Sequence, residues 1–339
     1  HAGALDRDGS GALNVFFSES LPSLFSIDGL AGLFDVGDFL PAGDPAANGN
    51  EMDLLVAVPP TTGVDLASCQ TNGCTAGEIP FEFALATLSH EYQHLVSFAR
   101  RAAERDTLAL SSQETLWLDE GLSHTIEDLV GYGNSTQEVV AQLFSEFDTE
   151  NRWAVTEDSI ALRGMAYTLI RHIIDQRARS AGATDAASPE TRTAARSVYS
   201  ELLSSPQDGY LHPLFQNLGA AGISDWLVAL YATDNPDVTE TLTNQFLPPG
   251  TATGSGLTIG FSPFIETIDS RGVDLTLEGP ILGDGDSDIL DDLSSATESE
   301  IAISQALYFE VEGLTPGEFT LRASGDANID LRFRVDRIR

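Results

Sequence analysis

Up to about residue 78 the chain alternates short apolar runs with Gly- and Pro-rich breaks, a pattern of strands joined by turns. Leu13–Phe17 and Met52–Val58 are the strand candidates. From about Ile79 the apolar period lengthens to that of a helix. Pro80 stands where a helix can begin, and Leu88, Tyr92, Leu95 and Ala99 recur on one face of it. A second helix is expected from about Thr115 to Val130, with Leu118, Leu122, Ile126 and Leu129 as its apolar stripe. Ser135-Thr136-Gln137-Glu138 reads as a capping box opening a third, and a fourth spans 158–177. Ser188-Pro189-Glu190 begins a fifth that runs to about Leu203, and Ser224 is expected to cap a short helix containing Trp226. After Pro248-Pro249-Gly250 the chain turns to Gly, Thr and Ser, with alternating runs at Leu307–Val311 and Ile329–Val335. The fold class is therefore α+β. Residues 1–249 should form an N-terminal sheet plus a helical lobe, and 250–339 a small β-sandwich-like accessory domain.

Composition narrows the function. With 339 residues and 42% hydrophobic content the chain can bury a core, and no apolar run is long enough for a membrane span. It starts at His1 with no signal segment, as a processed form would. All 17 cationic residues are arginine, and the net charge is −35. Such a surface repels phosphates, which excludes a nucleic-acid partner, and salt screens its self-repulsion. A salt-rich habitat and plain codon drift both account for that balance. Cys69 and Cys74 flank the turn dipeptide Asn72-Gly73, so a local disulfide is expected. The rival, a metal clip, lacks a second Cys or His pair nearby. An oxidising, extracellular location follows for a secreted protein.

The chemistry concentrates in His90-Glu91-Tyr92-Gln93-His94. A helix advances about 100° per residue, so His90 and His94 share a face one turn apart and can close on one Zn²⁺. Glu91 lies beside them as a base and not a ligand. The competing reading is a solvated helix face with incidental histidines, but Leu88, Leu95, Val96 and Phe98 predict a largely buried helix. Buried histidines and a glutamate are costly unless something satisfies them. A third ligand is expected on the second helix, whose face opposite the apolar stripe carries Trp117, Glu120, Gly121, His124 and Glu127. Glu120 is the first choice, with Asp119, Glu127 and Asp128 as alternatives. Gly121 would let this helix approach the first, and His124 would orient a ligand from behind.

HEYQHLVSF followed by WLDEGLSHTIEDL resembles the hyicolysin-type zinc metallopeptidases, within the zincins that take Glu as third ligand. The resemblance spans about Glu78 to Gln176. It implies a zincin-like catalytic domain, one catalytic Zn²⁺ held by His90, His94 and Glu120, and a peptide or protein substrate. It also implies that Glu91 is the general base and that an edge strand aligns the substrate. Arg163-Gly164-Met165-Ala166-Tyr167 resembles a later Y-G-x-x-Y segment, except that Arg163 replaces the first aromatic. Tyr167 is accordingly the first candidate for stabilising the oxyanion, ahead of His172 and Arg163. The opposed reading is a zincin-like binding protein without activity, in which any metal is structural.

Two acidic stretches stand apart. Asp6-Arg7-Asp8-Gly9-Ser10-Gly11 begins as a calcium loop does, but position twelve is Phe17 and not Glu, so Ca²⁺ competes there with a plain surface turn. Asp284, Asp286, Asp288 and Asp292 lack the sixth-position Gly and read as a solvated loop.

Overall fold

Alternation in the first fifty-odd residues does produce strands, with shorter bounds than the sequence suggests. The computed structural model describes residues 6–25, 30–41, 43–44, 49–66, 78–145, 159–233, 245–253, 256–261, 267–268 and 274–275. Its N-terminal part holds β1 (Asn14–Phe17), α1 (Leu21–Phe25), β2 (Gly32–Leu33), α2 (Val36–Phe39) and β3 (Leu54–Ala57). β3 is central: β1 pairs with it in parallel, Asn14 opposite Leu54, and β2 runs antiparallel on its other side, Leu33 opposite Val56. β2 escaped the sequence reading because two residues carry no periodicity.

The sheet sits on α3 (Phe81–Glu104). Leu55 in β3 packs with Phe34, Phe39, Leu95, Phe98 and Ala99, and the Phe39 and Phe98 rings meet edge to face at 5.7 Å. That cluster presses the middle of α3 against the strands. The expected α3 face is broken at Tyr92, which is 42% exposed. At the end of the helix, fully buried Arg101 lies 2.6 Å from Glu114, which also meets Nε2 of His212 at 2.9 Å. This fixes α3 against the segment leading into α4 (Leu116–Leu129).

Beyond α4 come α5 (Asn134–Ser145), α6 (Ile160–Ser180), α7 (Pro189–Leu203) and α8 (Pro213–Ala232). Ser159 caps α6 by accepting from the Leu162 amide. Ser224 caps nothing: it lies inside α8, which begins at Pro213, where a missing N–H is no loss. The break in that helix is at Gly219, whose φ of 60° suits glycine. α6 is buried along most of its length, with α4, α5 and α7 packed around it.

Two glycines set these distances. A Cβ on Gly164 would lie 2.3 Å from the Val139 carbonyl oxygen, so α5 and α6 touch through backbone. A Cβ on Gly121 would lie 2.6 Å from Cβ of Ala166, so Gly121 lets α4 approach α6. The expectation that it serves contact with α3 is thereby corrected. A glycine announces a close approach without naming the neighbour.

The helical core also continues past the compositional boundary near 250. β4 (Gly250–Thr251) pairs antiparallel with β5 (Thr258–Ile259), and Ile259 and Phe261 join Phe246 and Leu247 in the same apolar cluster as α6. Farther on, β6 (Thr267–Ile268) pairs with β7 (Asp274–Leu275). The cysteines, the runs at 307–311 and 329–335, and Asp284 to Asp292 lie outside the described residues. Among the described residues, no helix is long and apolar enough to cross a membrane.

Candidate metal centre

α3 and α4 bring His90, His94 and Glu120 together, with one ligand atom from each lying within 4.8 Å of the others. Nε2 of His90 is 3.3 Å from Glu120 Oε2, and Nε2 of His94 is 3.8 Å from Glu120 Oε1. Both imidazoles therefore point the same nitrogen at the same carboxylate. Burial is nearly complete: His90 is 9% exposed and Glu120 6%.

The other face of each ring is also engaged. Nδ1 of His90 lies 2.6 Å from Glu127 Oε1, and Nδ1 of His94 lies 2.9 Å from Asp119 Oδ2. In the neutral rings, carboxylates at Nδ1 favour the tautomer protonated there and leave Nε2 available to ligate, an arrangement typical of metal-binding histidines. Sequence reasoning gave that orienting role to His124 and treated Asp119 and Glu127 only as rival ligands. The signal was present, since Glu127 lies seven residues, about two turns, beyond Glu120. His124 instead stacks edge-on to His90 with ring centroids 4.8 Å apart, and its Nδ1 faces Glu127 at 3.0 Å. His90, His124 and Glu127 consequently form a second grouping within metal-binding distance.

Electrostatics favour positive charge here. Burial works to discharge His90, but hydrogen bonds to Glu120 and Glu127 prevail and hold its imidazole well above the ordinary range. Burial works to neutralise Glu120 too, yet the hydrogen bond from His90 and the charges of His90, His94 and Arg163 pull its carboxyl far below the usual value. Glu120 Oε2 faces the Arg163 guanidinium at 2.8 Å and His90 Nε2 at 3.3 Å, both off the line of a well-aligned hydrogen bond, so this buried acceptor is only weakly satisfied. A cation between the two Nε2 atoms and this oxygen would satisfy it. Two imidazoles and a carboxylate suit a borderline ion such as Zn²⁺.

Glu91 belongs to neither grouping. Its Oε2 accepts from the backbone N–H of Phe34 at 2.8 Å, just past β2. A Cβ on Gly32 would lie 2.9 Å from Cγ of Glu91, so only a glycine in β2 fits this close against the side chain.

Tyr167 is not brought to the centre. It is fully buried, and its hydroxyl donates to Asp128 Oδ2 at 3.1 Å, the same oxygen that Arg171 Nη1 holds at 2.8 Å. Asp128 Oδ1 accepts the Gly260 amide, so this carboxylate ties α4, α6 and the segment after β5 together. The Tyr167 hydroxyl is spent on packing. Tyr167→Phe should cost about 1–3 kcal/mol by removing a hydrogen bond to a charged group, read as a lower denaturation midpoint. Any hydrolytic activity should stay at the wild-type level per folded molecule. His172 is likewise elsewhere, its ring 5.6 Å from that of Phe246, and burial lowers its pKa to about 4, which keeps it neutral. Arg163, third in the sequence ranking, is the one that reaches the site: its Nη1 is 2.8 Å from Glu120 Oε2.

Asp6, Asp8 and Asp53 also come within metal-binding distance, with Asp53 buried. Their carboxylates already accept from the Gly11, Ser10 and Arg7 amides, respectively, at 2.9–3.2 Å. No protein-family model matches the chain, and a search among characterised proteins finds no match.

Proposed function

We propose that this chain is a zinc-dependent endopeptidase, with Zn²⁺ held by His90, His94 and Glu120. The observation carrying this reading is the convergence of both Nε2 atoms on Glu120 while Glu127 and Asp119 hold the opposite nitrogens. Purely incidental histidines would have no reason to be oriented from behind. A small sheet with an antiparallel strand beside the Glu91 helix also fits a zincin-like lobe.

When bound, the ion would supply Lewis acidity, activating water and polarising a peptide carbonyl. The chain's own residues do the rest. Glu91, fixed through Oε2 by the Phe34 amide, takes the water proton at Oε1 and returns it to the leaving amine. Glu127 and Asp119 keep His90 and His94 in the ligating tautomer. The acidic surface and the Cys69–Cys74 spacing support secretion as part of this proposal.

Two measurements test it: elemental analysis of the purified protein, and casein hydrolysis with and without a chelator. About one zinc per chain and hydrolysis that a chelator abolishes and added zinc restores are expected. Zinc without hydrolysis would favour the binding-protein reading, and hydrolysis indifferent to chelation would sink the metal mechanism.

A further inference from the structure

We propose, on the footing of the peptidase reading, that Arg163 is the catalytic residue that holds the oxyanion formed at the substrate carbonyl. Its placement follows from a ladder between two helices. Arg163, Tyr167 and Arg171 recur at four-residue intervals on α6, and their partners on α4 are Glu120 and, for the last two, Asp128. Contacts at Gly121 with Ala166 and Ile170 hold the two helices at the separation this ladder needs.

The rungs differ in their access to solvent. Tyr167 and Arg171 are wholly buried and serve Asp128. The Arg163 side chain is 30% exposed at the first turn of α6, where the ladder opens beside the metal-ligand grouping. It is a long cation with one guanidinium nitrogen at Glu120 Oε2 and part of its side chain exposed to solvent. Of the three oxyanion candidates on α6, it alone touches a proposed ligand.

Charge supports a function that survives metal loading. Glu91, Asp119, Glu120 and Glu127 bring four carboxylates to the neighbourhood, and a divalent ion offsets only half of their formal charge. Arg163 therefore has reason to stay when the ion binds. As water adds to the peptide carbon, the carbonyl π pair moves onto oxygen. A guanidinium donates N–H groups to that oxygen and transfers no proton, because it keeps its charge throughout. The alternative role is structural, with Arg163 merely orienting Glu120.

The test uses Arg163→Ala and Arg163→Lys in the full chain. It reads zinc content, kcat and KM on a blocked peptide, and calorimetric affinity for a peptide phosphonamidate, whose anionic tetrahedral centre resembles the reacting one. Arg163→Ala should keep its zinc, lose about 10²–10³-fold in kcat with KM little changed, and lose phosphonamidate affinity by a similar factor. Arg163→Lys should recover part of both. Loss of zinc in step with activity, or unchanged phosphonamidate affinity, would overturn the proposal in favour of the orienting role. Failure of the peptidase reading shows separately: the wild-type chain itself would then show no chelator-sensitive hydrolysis and no zinc-dependent phosphonamidate binding, and the proposal would fall with it.

Discussion

Replacing Glu91 by Gln is expected to leave zinc bound at the wild-type stoichiometry while peptide hydrolysis falls by about 10²–10⁴-fold, the usual contribution of a positioned general base. The physical ground is a division of labour along two adjacent residues of α3. His90 is in a metal-competent grouping and Glu91 is in none, so losing the Glu91 charge removes no ligand. Gln is nearly isosteric and can keep its side-chain oxygen on the Phe34 amide, which preserves the contact made at 2.8 Å by the native residue. What it cannot do is accept a proton from water. Zinc analysis and turnover on one preparation decide the matter. Substantial turnover by the variant would show that the proton goes elsewhere, and loss of zinc would mean that Glu91 is a ligand.

The sequence made the centre legible through helical phase, and the errors mark where phase stops helping. His90 and His94 were accessible because an interval of four on a helix fixes two side chains on one face whatever the surroundings. On the partner helix, phase narrows the third ligand to the face that Glu120 and Glu127 share, and the Trp-Leu-x-Glu-Gly resemblance chooses Glu120. Phase says nothing about which of several helices a buried side chain meets. α4 is buried on nearly every side, so Gly121 was assigned to α3 when it touches α6, and His124 was given the task that Glu127 performs. Tyr167 is placed away from the metal grouping for the same reason: the buried length of α6 offers it Asp128 first. The Phe34 amide behind Glu91 was beyond any pattern reading, because it comes from a backbone group 57 positions away in sequence.

Those geometric differences turn into a graded metal-binding series. Glu120→Ala should strip the ion under mild chelation, since it deletes the one carboxylate that both Nε2 atoms face. Glu127→Ala and Asp119→Ala should each weaken binding by about 10–100-fold, the usual cost of removing a carboxylate that orients a ligating histidine. Read from the sequence as a rival ligand that Glu120 displaces, Glu127 has no part in holding the metal. The 2.6 Å contact with His90 Nδ1 reverses that expectation, because losing Glu127 frees the ring to rotate and leaves its Nδ1 proton unpaired in a buried setting. His124→Ala should matter less, since its ring stacks on His90 and lies outside the grouping of His90, His94 and Glu120. Competition against a chromogenic zinc chelator, at a pH where the imidazoles are neutral, would rank all four variants in one assay. Retention of zinc by Glu120→Ala together with its loss from Glu127→Ala and His124→Ala would move the ion to the other grouping, that of His90, His124 and Glu127. Glu120 would then be a bystander, and the mechanism drawn around it would have to be rebuilt.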